Sequence, residues 1–170
     1  MTPSGTGTGA NRGQNRPERL PEGARVVVKV GSSSLTRADG GLNLNRIDIL
    51  AGLIAGMRRR GHDVVLVSSG AVASGLAPLG LDRRPDELRL LQAAASVGQG
   101  RLAARWETAM SAYGLVTAQV LLTAHDVAIR SHYRTVRATF DSLLSLGAVP
   151  IINENDAVAT SEFSLGDNDR

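Results

Sequence analysis

Four short apolar runs, Arg25–Val30, Val64–Val67, Leu115–Leu122 and Val149–Ile152, restrict most strongly how this chain can fold. They are rich in β-branched residues, and segments with apolar residues at three-to-four spacing separate them. Strands that alternate with helices of about ten or more residues form crossover units, so the sheet they build is mostly parallel, with helices on both faces. The predicted class is α/β, a three-layer α-β-α sandwich with Arg25–Val30 as its first buried strand.

The helical segments follow from the same patterning. Asn45 can cap a helix with inner positions Ile47, Leu50, Ala51, Ile54 and Met57, which ends near Gly61 with Arg58, Arg59 and Arg60 at its negative pole. A long helical region runs from Pro85 to Tyr113, bent near Gly98 and Gly100, with Leu88, Leu91, Leu102, Trp106 and Met110 facing inward. A third helix carries Tyr133, Val136, Phe140, Leu143 and Leu144 and is ended by Gly147.

Ligands of parallel sheets bind at the carboxyl ends of the strands. In this chain those ends carry Gly31–Ser34, Ser68–Ala71 and Asn153–Asp156, so three polar loops are expected to share one edge.

At 170 residues and 42% hydrophobic content the chain can bury one core of ordinary size. Residues 1–23, rich in Gly, Thr, Asn, Arg and Pro without an apolar period, read as a disordered tail, and 24–170 as the globular unit. The Gly5-Thr6-Gly7-Thr8-Gly9 stretch has neither the spacing nor the flanking strand and helix of a dinucleotide fingerprint. No apolar run suits a membrane span or a signal peptide, so a soluble, cytoplasmic protein is expected. Without cysteine, only His62, His125 and His132 could serve as nitrogen ligands, and no metal site is expected of the protein itself. The net charge of +3 is spread along the chain and aromatics make up 3%, which argues against a nucleic-acid partner.

One basic residue stands apart. Of the 19 lysines and arginines only Lys29 is lysine, and it lies inside Val26-Val27-Val28-Lys29-Val30. A compact ammonium suits a single phosphate oxygen better than the planar fork of arginine. The alternative is a stem that carries its charge from a strand end into water.

The loops pose similar choices. Gly31-Ser32-Ser33-Ser34 offers amides and hydroxyls for a transferring phosphate, or is an ordinary turn; it lacks the ending of a Walker loop. Ser69-Gly70-Ala71 can present amides and a hydroxyl to an anion, or simply pack well. Asn153-Glu154-Asn155-Asp156 and Gly166-Asp167-Asn168-Asp169 concentrate carboxylates and amides that could hold an ammonium group or orient a substrate, or are Asx-type turns.

Taken in order, Val28–Leu35, Val67–Gly75, Leu91–Gln99, Ile151–Ala159 and Gly166–Asp169 closely resemble the glutamate 5-kinase family of amino-acid kinases, from about Arg25 to the last residue. The Asn-Glu-Asn-Asp run resembles the glutamate enzymes, whereas the acetylglutamate and aspartate kinases have Gly-Gly pairs. The resemblance implies an ATP-dependent phosphotransferase, using Mg2+, that makes L-glutamyl 5-phosphate in the first step of proline synthesis. It implies that Lys29, with Gly31 and Ser32, binds the ATP phosphates and that Lys29 stabilises the transferring group. Ser69, Gly70, Asp156 and Asn168 would bind glutamate, and Asp169 would organise the catalytic lysines. A homo-oligomer and feedback inhibition by proline are further implications.

The family's kinase domain continues past the last of these motifs with more strands, a Thr-Asp pair and a Gly-rich loop carrying a second catalytic lysine. Many bacterial members add a PUA domain. The sequence holds neither, which implies the N-terminal, substrate-binding part of the fold, with weak or absent turnover alone. The alternative expectation is a noncatalytic glutamate- or proline-binding module.

Overall fold

The computed structural model describes residues 20–37 and 40–158. Its elements in chain order are β1 (Arg25–Val30), α1 (Ser32–Leu35), α2 (Leu44–Arg59), β2 (Asp63–Ser68), α3 (Ala71–Leu76), a 3₁₀ turn (Ala77–Leu79), α4 (Leu88–Ser111), β3 (Thr117–Leu122), α5 (Ala124–Ala128), α6 (Arg130–Ser145) and β4 (Val149–Glu154). The four strands form one sheet in the order β1-β2-β4-β3, with every pairing parallel.

That order explains which helix lies on which face. From β1 through β2 to β3 the chain advances in one direction across the sheet, and right-handed crossovers therefore put α2 and α4 on the same face. The step from β3 back to β4 reverses direction and sends α6 to the other face. Register agrees: Val28, Leu66 and Ile151 are aligned across three strands on the first face. Together with Val30, Val64 and Val149 they pack against Ile47, Ala51 and Ile54 of α2 and Ala95, Leu102, Trp106 and Met110 of α4. On the second face Arg25 of β1 reaches Asp141 of α6 at 3.0 Å.

The expectation of a fully buried β1 is corrected. Its residues alternate, with Val30 buried while Val27 is 63% exposed: among the described residues β1 is an outer strand, and on its second face α6 meets the start of the strand, through Arg25 and Asp141, and leaves Val27 uncovered. A β-branched run cannot by itself distinguish a strand covered on both faces from one covered on one.

Several boundaries also move. Asn43, not Asn45, caps α2, its side chain accepting from the Arg46 N–H at 3.1 Å. Pro85 lies ahead of α4, which begins at Leu88, and Leu88 is exposed rather than inward-facing. Val116 precedes β3, and the segment after it is two helices: a capping box at Thr123 and Asp126 starts α5, and the extended Ile129 separates it from α6. Tyr133 of α6 faces outward.

The largest correction concerns Gly98. Helix α4 runs unbroken through it; the glycine is there because α3 presses against α4 at that point. A Cβ on Gly98 would lie 1.8 Å from the Ala71 carbonyl oxygen, and one on Gly75 would lie 1.9 Å from that of Ala94. Only two facing glycines permit this backbone contact.

Candidate functional site

With all four strands parallel, their carboxyl ends lie along one edge, and the sheet order puts the loops after β1, β2 and β4 side by side. The first two are joined directly, the Ser69 N–H donating to the Val30 carbonyl at 3.0 Å. Lys29 is exposed at the end of β1 and pairs in register with Val67; Ser32, Ser33 and Ser34 are exposed in the short helix after Gly31.

The second loop is set from beneath. Trp106, fully buried in α4, donates its indole N–H to Ser68 Oγ at 3.0 Å, and Ser68 Oγ donates to the Ser69 carbonyl at 3.1 Å. A buried indole requires a partner of this kind. Gly70 has φ of +108°, a left-handed conformation that turns the chain sharply into α3 and that L side chains rarely adopt. Ser69 is thus left half-buried at the start of the turn.

The third loop is tied to both neighbours. The Asn155 N–H donates to the Leu122 carbonyl at 2.9 Å, linking it to the end of β3. The buried Asn153 donates from Nδ2 to Gln99 Oε1 of α4 at 2.8 Å and accepts from the Glu154 N–H at 2.9 Å. Where α4 stops covering β3, a cleft of about 310 Å³ opens, lined by Ser96 and Gln99 of α4, Gln119 and Leu121 of β3, and Glu154, Asn155 and Asp156 of the loop. Burial raises the Asp156 carboxyl above the usual aspartate range; the negative Glu154 raises it further, and the positive Arg84 opposes both. A carboxylate kept partly out of water beside a second acid favours a bound cation.

The structure therefore brings Gly31, Ser32, Ser69, Gly70 and Asp156 to one edge with Lys29, but only Asp156 of these lines the cleft. Asn168 and Asp169 lie outside the described residues, as does most of the expected tail. Sequence reading assigned no role to Gln99; the signal was a glutamine just past a glycine pinned between helices, legible only once the glycine's partner was known.

Beside this edge, Asp126 accepts from the Thr123 hydroxyl and N–H, which hold it down to about 2, and from His132, whose ring meets that of His125 edge-on at 6.2 Å. Among the described residues no group of three or more His, Cys, Asp or Glu side chains is placed to hold a metal ion. None of their helices is long and apolar enough to cross a membrane.

Residues 24–170 match the model of the amino acid kinase family. The chain belongs to that family. It is 58% identical over 153 residues to a glutamate 5-kinase of Streptomyces coelicolor and 56% identical over 153 residues to one of Salinispora arenicola, each match covering 90% of the chain. A glutamate 5-kinase of Thermobifida fusca is 55% identical over 164 residues, 96% of the chain. The matches cover 41%, 42% and 42% of those relatives, so the chain spans about two-fifths of their length. The amino acid kinase fold is represented here by its part with four parallel strands.

Proposed function

We propose that this chain carries the glutamate- and phosphate-binding part of a glutamate 5-kinase, in which ATP phosphorylates the side-chain carboxylate of L-glutamate. The observation that carries the reading is the edge itself: the sequence's single lysine and a Gly-Ser loop beside a second anion-compatible loop and an acidic one, in a chain 55–58% identical to enzymes of that name.

In this reading Ser69 and Gly70 hold a glutamate carboxylate and Asp156 its ammonium group, with Asn168 completing the pocket. The ionised γ-carboxylate attacks the γ-phosphorus in line as its bond to the bridging oxygen breaks and ADP leaves, and no general base is needed because the nucleophile carries its charge already. Lys29 neutralises the transferring phosphoryl, and Gly31 and Ser32 contribute donors to the phosphates, a donor set that suits polyphosphate. Asp169 orients the lysines of the site. Magnesium, entering with the nucleotide, would neutralise phosphate charge.

A second reading, glutamate binding without turnover, is favoured by one feature: Lys29, Gly31 and Ser32 do not line the cleft beside Asp156. Trapping the acyl phosphate separates the two. The full-length protein is expected to form γ-glutamyl hydroxamate from glutamate, Mg-ATP and hydroxylamine, and Lys29→Ala is expected to abolish it. Hydroxamate formed equally by the variant, or from aspartate in preference to glutamate, would sink the kinase reading; glutamate binding without hydroxamate would select the second.

A further inference from the structure

Two polar side chains, Asn153 and Gln99, meet at 2.8 Å behind the acidic loop. Asn153 is 9% exposed and its amide has no freedom of orientation. The Glu154 backbone N–H can only donate, so the Asn153 atom it meets is Oδ1; Nδ2 then faces α4, and the Gln99 atom that receives it must be Oε1. The backbone thus fixes the polarity of both side chains.

Gln99 is itself held in place. Its chain neighbour Gly98 lies against Ala71, the first residue of α3 and the end of the second candidate substrate loop, with no room for a Cβ. The middle of α4 therefore touches both loops: Gly98 touches the second through backbone, and Gln99 the third through Asn153. Adjacent residues of one helix thus hold both loops.

We propose that Gln99 is a positioning residue that fixes the Asn153–Asp156 loop through Asn153 and sets its distance from the Ser69–Ala71 loop. The proposal deepens the reading of this edge as a glutamate site and rests on it for its ligand. Without the Gln99 acceptor, Asn153 Nδ2 is a buried donor lacking its partner, the loop is free to rearrange, and Asp156 leaves the position that receives the ammonium group.

The test compares wild type, Gln99→Leu, Asn153→Ala and the double variant. Hydrogen exchange of backbone amides in the unliganded protein reads the loop, and calorimetric titration with L-glutamate reads binding. In Gln99→Leu the Glu154 and Asn155 amides should exchange about tenfold faster while those of Val149 and Ile151 are unchanged, and the glutamate Kd should rise about tenfold. Because Gln99 acts through Asn153, the double variant should bind no more weakly than Asn153→Ala. Unchanged loop exchange in Gln99→Leu, or additive losses in the double variant, would overturn the proposal. Failure of the wild type to bind glutamate would overturn the reading of the site, and loop exchange would still decide whether Gln99 positions the loop.

Discussion

The two faces of the sheet are built from similar residues but to different standards. The face under α2 and α4 is closed, with Val64, Leu66 and Val149 fully buried around Trp106, and it anchors the candidate loops by glycine contacts and named hydrogen bonds. The opposite face carries α6, whose only buried residue is Leu144, and leaves Val27 of β1 in solvent. The loops that need fixed geometry are anchored through α4, on the closed face; Lys29 is on the open one, next to Val67. Precision and accessibility are thus divided between the two sides of one sheet.

The comparison breaks most readily at Gly98. In an exposed helix, alanine for glycine would stabilise by about 1 kcal/mol. At this position the new Cβ meets the Ala71 carbonyl at 1.8 Å and must drive α3 from α4, so overpacking wins. Gly98→Ala is expected to destabilise by about 3 kcal/mol in chemical denaturation. A stabilised variant would show that α3 and α4 leave room for a methyl group at this crossing.

A smaller effect is expected at Trp106. Trp106→Phe keeps most of the apolar volume but removes the donor to Ser68, which props the turn at Ser69. The expected loss is about 2 kcal/mol, partly recovered when Ser68→Ala removes the oxygen that has lost its indole donor. Full additivity of the two substitutions would mean that the hydrogen bond contributes little.

What sequence patterning revealed and what it hid divide along these same lines. The strand–helix alternation, the α/β class and the position of the polar loops at strand ends follow from local composition, and the structure agrees with each. Tertiary features were not legible. Gly98 read as a bend because a glycine inside a helix lacks intrinsic propensity; its purpose depends on Gly75, on another helix. Gln99 read as ordinary helix for the same reason, since its partner Asn153 comes from a distant strand end. The valines of β1 concealed that one of its faces is open, because β-branched residues suit either case. By contrast, the Thr123–Asp126 capping box was local and readable, and marks where α5 begins after β3.

The finest test of the two-face description uses one substitution at two neighbouring positions. Val27 and Val65 are paired in register on β1 and β2 and point to the same face, yet Val27 is 63% exposed and Val65 is 6% exposed. Threonine matches valine in shape and β-propensity, so the exchange isolates the burial of a hydroxyl. Val65→Thr should lose about 1–3 kcal/mol, because its hydroxyl leaves water with no designed partner. Val27→Thr should change stability by no more than about 0.5 kcal/mol, since its hydroxyl stays hydrated. Equal losses at the two sites would mean that something covers β1 in solution, and the open face would then be an interface; a difference of the expected size would place the margin of the second core between these adjacent strands.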